Sequence, residues 1–144
     1  CDMTSEKIAS YGDLHYPQTK FGSIGIRVEP RLLPPFGGVV MGDDNRRGKA
    51  SVVTETESDF VAYENSLPSG QTYGVYLSLP YEHKRGPWFI RDYGMAMHNP
   101  TWVGDIETKQ GQSWSVSLRV VAYDGPLTAE NAAHWHALPL WLSG

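Results

Sequence analysis

The chain has 144 residues, of which 40% are hydrophobic and 19% charged, and this balance is typical of one globular domain rather than of a disordered segment. Its formal net charge of −4 excludes nucleic acid as the expected partner, because a polyphosphate binds to a basic face. The longest apolar groupings, such as Val39-Val40-Met41, are far shorter than the ~20 residues that cross a bilayer, so we expect no membrane span.

Alternation of apolar and polar residues with a period of two is the dominant pattern, and it predicts antiparallel strands. The segment 113–123 shows it most clearly, since Trp114, Val116 and Leu118 alternate with serines and with Arg119. We expect this segment to be a strand with one buried and one exposed face. In chain order, the expected strands cover residues 3–10 (a strand or a frayed end), 24–28, 50–56, 59–64, 73–79, 88–93, 103–107 and 113–123.

Turn-forming residues such as Asp124-Gly125-Pro126 separate these segments, and no helix is expected between the strands. One short helix is predicted near the C-terminus, where Thr128 is a suitable N-cap and Pro139 ends the segment. Short strands without intervening helices favour a sandwich over units with parallel strands. The sequence thus predicts an all-β fold, an antiparallel β-sandwich with one short C-terminal helix, as a single domain over residues 1–144.

The densest group of chemically functional side chains lies between Trp88 and Asn99. In an extended segment, Trp88 and Asp92 share one face of the strand, while Arg91 and Tyr93 share the other. Arg91 and Asp92 therefore cannot simply pair with each other, and each needs another partner or a ligand. A guanidinium fork, a carboxylate and flat aromatic faces together suit a neutral, hydroxyl-rich ligand such as a sugar.

Structural interpretations of the same residues stay open. Arg91 and Asp92 could tie strand ends to loops, with Trp88 in the core. His98, whose ordinary pKa is near 6.5, suits a general acid or base, or a cap on the turn at Asn99-Pro100. The candidate catalytic residues are Arg91, Asp92 and His98, and the candidate ligand-binding residues of this segment are Trp88, Tyr93 and Asn99.

The histidines give no strong metal motif. The chain has no His-Glu-x-x-His pattern and a single cysteine, so neither a helical zinc motif nor a cysteine pair is available. A site built from His15, His83 and His98 is conceivable only if different strands bring them together. We therefore assign no metal ligands, and no motif identifies a cofactor.

Several segments occur together in an order that points to a family. They are residues 20–28, the Gly37-Gly38 turn, the Pro-Trp-Phe-Ile-Arg-Asp-Tyr-Gly segment at 87–94 followed by Asn99-Pro100, and residues 118–125. In this order they resemble the C-terminal part of the PmoA-like family of bacterial proteins, which carries the inherited label methane oxygenase without an established function. The Trp-x-x-Arg-Asp-Tyr-Gly part is the most specific of these matches.

The resemblance implies both site residues and a ligand class. Lys20 and Arg27, together with Arg91, Asp92 and Tyr93, match recurring polar residues of that family, so Lys20 and Arg27 join the candidate ligand-binding residues. The setting of the family among bacterial sugar-catabolism proteins implies a carbohydrate ligand. The methane-oxygenase label is not expected to apply, because the chain has no span and no strong copper site.

Family members are longer than this chain, which implies that it is the C-terminal part of a larger domain. Unpaired sheet edges would then favour a homo-oligomer, or a second chain that supplies missing strands. Cys1 is then a fragment start. The alternative is the mature N-terminus of a lipoprotein, acylated at Cys1. For a bacterial protein, these interpretations leave the periplasm and the cytoplasm open.

The sequence thus predicts a carbohydrate-binding or carbohydrate-processing β-sandwich that acts on a sugar or glycoside. As an enzyme, it would use Asp92 or His98 to move a proton, while Arg91 and Lys20 stabilise oxyanionic oxygens. Trp88 and Tyr93 would stack on the sugar ring. The alternatives are a non-catalytic structural or assembly subunit and a metal-dependent oxidoreductase.

Overall fold

The computed structural model describes residues 1–80 and 86–139, and short strands dominate this part of the chain. Their bounds are β1 (Asp2–Ile8), β2 (Leu14–Tyr16), β3 (Ile24–Arg27), β4 (Val39–Gly42), β5 (Arg47–Gly48), β6 (Glu57–Ser58), β7 (Phe60–Ser66), β8 (Thr72–Ser78), β9 (Gly86–Ile90), β10 (Met95–His98), β11 (Ile106–Thr108) and β12 (Ser113–Asp124). Short 3-10 helices cover Pro30–Leu32, Pro34–Phe36 and Ala50–Val52, and α1 covers Ala129–Ala137. Among the residues described, no helix has the length and apolar character needed to cross a membrane.

The strands form a large sheet, a small sheet and a ribbon, each with antiparallel pairing. The large sheet has the order β1-β12-β8-β7-β4-β5, the small sheet β3-β10-β9-β6, and β2 pairs with β11 in the ribbon. One core joins the two larger sheets, with Val61, Leu77 and Leu118 from the large sheet and Trp88 and Ile90 from the small one. The predicted all-β antiparallel sandwich with one short C-terminal helix is confirmed.

Helix α1 covers the opposite face of the large sheet. Its N-cap is the predicted one, because the Thr128 side chain accepts a hydrogen bond from the Asn131 backbone N–H at 3.1 Å. Ala132 and Trp135 of the helix pack against Tyr76 in β8. The large sheet therefore has side chains packed on both of its faces.

The packing of α1 corrects the expectation that β12 has one exposed face. Ser117 and Arg119 were expected to face solvent, but both are as buried as Val116 and Leu118. Exposed and less exposed residues alternate only toward the two ends of the strand, at 113–115 and at 121–124. Alternation reports one apolar face, and it does not show that a helix covers the other.

Some predicted boundaries are wrong. The expected strand at 50–56 begins instead as the 3-10 helix Ala50–Val52, and Glu55 has a left-handed φ of 63°. The expected strand at 103–107 is reduced to Ile106–Thr108, and the one at 88–93 ends at Ile90. Strands β2, β4, β5, β6 and β10, each of two to four residues, were not predicted.

Candidate functional site

A tight turn between β9 and β10 organises the predicted site segment. The Arg91 N–H donates to the Met95 carbonyl and the Gly94 N–H donates to the Arg91 carbonyl, both at 2.9 Å. Gly94 has a φ of 90°, and a Cβ there would lie 2.9 Å from the Val28 carbonyl oxygen. Only glycine meets both conditions without strain. The turn takes Asp92 and Tyr93 out of the strand, so the alternation assumed for an extended 88–93 segment does not apply to them.

Trp88 and His98 face the core of the sandwich. Trp88 is 1% exposed, and its indole N–H donates to the Ser58 carbonyl at 2.9 Å. His98 is opposite Trp88 in the register, with their ring centroids 6.0 Å apart and 7% of His98 exposed. The structure therefore places both side chains on the inner face of the small sheet, away from the surface that Arg91 reaches.

Asn99 and Asp92 hold neighbouring backbone segments. The Asn99 side-chain amide donates to the Thr19 carbonyl at 2.8 Å, and its carbonyl accepts from the Thr101 hydroxyl at 3.1 Å. The Asp92 carboxylate accepts from the Ala50 N–H at 2.7 Å, at the start of a 3-10 helix. These contacts give both residues a positioning role in the fold.

Tyr63 of the large sheet holds the turn between β9 and β10 by hydrogen bonds from the core side. Its buried hydroxyl donates to the Arg91 carbonyl at 2.9 Å, and the Met95 carbonyl lies 3.3 Å from the same oxygen. Burial raises the pKa of Tyr63 far above its ordinary value, so the hydroxyl remains a donor. The position of the turn that carries Arg91 and Tyr93 is thus fixed from the interior.

The outer surface of the small sheet carries rings, thioethers and guanidinium groups, and we call it the aromatic–arginine face. In the register, Met97 lies opposite both Phe89 and Gly25, and Met95 lies opposite Arg27. These residues alternate with the inward-facing ones of the same strands. The face consists of Phe21, Arg27, Phe89, Arg91, Tyr93, Met95 and Met97.

Both arginines of the aromatic–arginine face lie against aromatic rings. The Arg91 guanidinium carbon is 3.8 Å from the centroid of Phe89, and the Phe21 ring lies 5.3 Å from the same ring. The Arg27 guanidinium carbon is 5.6 Å from the Tyr93 centroid. Such contacts stabilise by about 0.5–2 kcal/mol. They also hold each guanidinium in place while its N–H edge stays available for bonding.

Gly25 has no side chain, and the Met97 side chain uses the space above it in the middle of the face. A Cβ on Gly25 would lie 2.3 Å from the Ala96 carbonyl oxygen and 2.6 Å from Cγ of Met97. The Met97 side chain thus lies across the glycine and beside Phe89. Phe21 and Tyr93 are 65% and 55% exposed at this surface. The result is a shallow, partly apolar surface with charged groups, not a deep cleft.

The structure therefore separates the residues predicted from the sequence. Arg27, Arg91 and Tyr93 lie together on the face, and Lys20 is an exposed residue that directly precedes Phe21. Sequence reasoning missed Phe21, Phe89, Met95 and Met97 as members of this surface. The alternation Phe89-x-Arg91 was a usable signal, but its connection to Phe21 depends on strand register.

A separate groove of about 710 Å³ lies between α1 and the β4–β5 turn. Its walls include Phe60 and Ala132, and its rim includes Asp43 and Arg46. Asp43 and Arg46 bond each other, and Asp43 also accepts from the Asp59 N–H at 2.9 Å. This groove thus contains none of the predicted site residues, and Asp43 and Arg46 bond within the protein.

The three histidines considered for a metal do not form a site. His15 lies on the ribbon and His98 in the sandwich core, while His83 is outside the described residues. His15 instead bonds Glu107 through Nδ1, and its Nε2 lies 3.7 Å from an Asp105 carboxylate oxygen. The Glu107 hydrogen bond, followed by the charges of Glu107 and Asp105, raises the pKa of His15. Carboxylates on opposite ring nitrogens fit an imidazolium ion pair better than ligands around one ion.

Residues 1–136 match the family of unknown function DUF6807, so the chain belongs to that family. The resemblance to the PmoA-like family is therefore wrong. The segments that suggested it are ones that this sandwich uses for turns and core, such as Trp88 and Gly94. The expectation that the chain is the C-terminal part of a larger domain rested on that resemblance and loses its support. No curated protein and no solved structure matches the chain significantly.

Proposed function

We propose that this member of DUF6807 binds carbohydrate on its aromatic–arginine face. The observation that carries the proposal is a contact group built on the buried Phe89 ring, which the Arg91 guanidinium approaches to 3.8 Å and the exposed, tilted ring of Phe21 to 5.3 Å, centroid to centroid. Sugars present an apolar C–H surface and a rim of hydroxyls, and this group pairs an apolar ring surface with fixed donors.

The arrangement of the face suits an extended saccharide. Phe21, Phe89 and Met97 lie toward one end of the strands, while Arg27, Arg91 and Tyr93 lie toward the other. Neighbouring outward positions on a strand are two residues, or about 7 Å, apart. A ligand of several sugar rings could therefore contact the ring end and the arginine end together.

The proposal is binding rather than catalysis. His98 faces the core, and the Asp92 carboxylate is engaged by the Ala50 backbone. His98 therefore does not share the outer surface with the rings of Phe21 and Tyr93, and one oxygen of Asp92 is already used by the fold. Catalysis by Arg91, Asp92 and His98 stays a prediction, and so does the metal-dependent oxidoreductase.

Calorimetric titration of a panel of neutral and acidic oligosaccharides tests the proposal. Phe21→Ala and Tyr93→Ala should each weaken binding roughly three- to tenfold, since an aromatic contact contributes about 0.5–1.5 kcal/mol. The control is Tyr11→Ala, which removes a ring that is 101% exposed in the loop between β1 and β2. Absence of binding across the panel by the unmodified protein contradicts the proposal, as does an equal loss in the Tyr11 variant.

A role as an assembly subunit is the second candidate, and β1 favours it. This seven-residue strand pairs with β12 along one edge, and within the described ranges no strand pairs with its other edge. An open edge of that length can accept a strand from another chain. Light scattering over a wide concentration range tests this, and a monomer at every concentration argues against it.

A further inference from the structure

The arginines of this protein fall into two groups according to their partners. One group bonds carboxylates, and its pairs are Arg31–Glu29, Arg46–Asp43, Arg47–Glu64 and Arg119–Asp2. Among the arginines in the described ranges, Arg27 and Arg91 are the ones without an ion pair. Both lie on the aromatic–arginine face, each against a ring. The arginine charge that carboxylates of the described residues leave unpaired is thus collected at the proposed binding surface.

The hydrogen bonds of Arg27 and Arg91 leave donors available. Nη1 of Arg91 donates to the Thr54 hydroxyl and to the Ile90 carbonyl, both at 3.0 Å. Arg27 makes one long contact, 3.5 Å from Nη1 to the Tyr93 carbonyl. A guanidinium has five N–H donors. Each group therefore keeps an edge that makes no hydrogen bond within residues 1–80 and 86–139.

The register sets the spacing of the two charges. Met95 is opposite Arg27 on one side, and its carbonyl accepts from the Arg91 N–H on the other. Arg27 and Arg91 thus flank Met95 on neighbouring strands, and two strand spacings separate their backbones by about 10 Å. Arg27 lies over Tyr93 and Arg91 over Phe89, so the two guanidinium groups are held against different rings, and carboxylates on different units of one chain can bond them separately.

We infer that the saccharide bound by this face is an acidic one, an oligouronate whose carboxylates pair with Arg27 and Arg91. The inference rests on the proposed carbohydrate-binding function and adds the class of ligand. Arginine binds carboxylates through two parallel hydrogen bonds, which favours this pairing over hydroxyls alone. Lys20 adds positive charge next to Phe21. Acidic residues near these strands are Glu57, opposite Pro87 at the β6 edge, and Glu29, which is paired with Arg31.

The face therefore differs in charge from the chain as a whole. The protein carries a net charge of −4, so a polyanion is repelled by the molecule on average. Binding of an oligouronate then depends on the local pair of arginines and not on general attraction. This makes the effect of single arginine substitutions specific and measurable.

The test uses an oligogalacturonate, the same oligosaccharide with its carboxylates methyl-esterified, and polyglutamate as a non-saccharide polyanion. We expect the free acid to bind at least tenfold more tightly than the ester, and its affinity to fall as salt rises. Arg27→Gln and Arg91→Gln should each weaken binding of the acid roughly tenfold, with a much smaller effect on the ester. The control is Arg31→Gln, because Arg31 is an exposed arginine that is paired with a carboxylate, Glu29.

The outcomes separate the two proposals. Equal binding of acid and ester overturns the acidic specificity and leaves carbohydrate binding intact, whereas no binding of either overturns both. Polyglutamate binding as tightly as the oligogalacturonate contradicts a saccharide ligand. An equal loss in the Arg31 variant shows that overall charge, not this face, is responsible. Because Arg91 packs on Phe89, its substitution could also destabilise the fold, so denaturation curves are measured for the Arg91 variant. Arg27 is exposed, and the affinity of its variant therefore tests the arginine contact independently of stability.

Discussion

Arginine serves two different purposes in the large sheet beneath α1 and on the outer surface of the small sheet. Beneath α1, Arg119 is 3% exposed and bonds both Asp2 oxygens at 2.7 Å. It also donates to the Trp135, Leu138 and Pro139 carbonyls. On the aromatic–arginine face, Arg27 and Arg91 have no carboxylate partner in the described structure and lie against rings. The first arrangement uses most of the donors for the fold, and the second keeps donors for a ligand.

The comparison shows why residue type alone is a poor guide to function. Arg119 is in the middle of a long strand and was expected to face solvent, yet it joins β1 and the end of α1. Arg91 is in the segment predicted to be functional, and it does reach an open surface. What separates them is the number of hydrogen bonds that each guanidinium makes within the protein.

Removal of the Arg119 side chain should have the largest effect on stability. Arg119→Ala removes the hydrogen bonds to the buried Asp2 carboxylate and to three carbonyls, and breaking such a buried pair costs about 3–5 kcal/mol. Urea denaturation should show the loss as a lower midpoint. Arg27→Ala is the matched control and should lower the free energy of unfolding by at most about 1 kcal/mol, the contribution of an exposed cation–π contact. A similar loss of stability in both variants would contradict the distinction between arginines that stabilise the fold and arginines available to a ligand.

A smaller effect is expected for Tyr63, which connects the core to the face. Tyr63→Phe removes the hydroxyl that bonds the Arg91 carbonyl at 2.9 Å, while the ring stays in the core. The loss of one buried hydrogen bond should lower the free energy of unfolding by about 1–2 kcal/mol. Oligosaccharide affinity should fall as well, because the turn that positions Arg91 loosens. Unchanged affinity with reduced stability would show that the face does not depend on this anchor.

Asp92 tests whether its carboxylate serves the fold. Asp92→Ala should cost about 1 kcal/mol, because the Ala50 N–H loses its acceptor at the start of a 3-10 helix. Asp92→Asn keeps a side-chain oxygen in place and should cost less. Denaturation of both variants provides the measurement. The opposite order of stabilities would mean that the charge, and not the hydrogen-bond acceptor, is what matters at this position.

The sequence predicted the parts of this fold that depend on local signals. Period-two alternation predicted β3, β8 and β12, and the Thr128 cap predicted α1. The strand expected at 50–56 failed, because the Ala50 backbone bonds Asp92, 42 residues away. Such a contact leaves no mark in a local pattern.

The candidate site was predicted only in part, for a related reason. Arg91 and Tyr93 were found from their chemistry, and Arg27 through a family resemblance that proved wrong. Phe21 reaches Phe89 because β10 lies between their segments in the sheet. Strand order and register decide that contact, and a single sequence does not specify either.

His15 separates the effect of pairing from that of burial, since it is paired like Arg119 but exposed like Arg27. The Glu107 hydrogen bond raises the pKa of His15 above its ordinary value of 6.5. Its contribution to stability is therefore present below the unfolded-state pKa, and it is lost as pH rises through the higher folded-state pKa. Solvent should keep this contribution below what denaturation detects.

The His15 shift itself should still be visible in a pH titration of the imidazole protons by NMR. Glu107→Gln should return the pKa of His15 toward its ordinary value, with Asp105→Asn giving a smaller change, because Glu107 makes the hydrogen bond. Asp13→Asn, which removes the partner of Lys109 at 2.7 Å, is the control and should leave the pKa of His15 unchanged.

A shifted pKa of His15 without a change in the unfolding midpoint would show that burial, and not pairing alone, makes Arg119 essential to the fold. A measurable loss of stability in the Glu107 variant would contradict that conclusion.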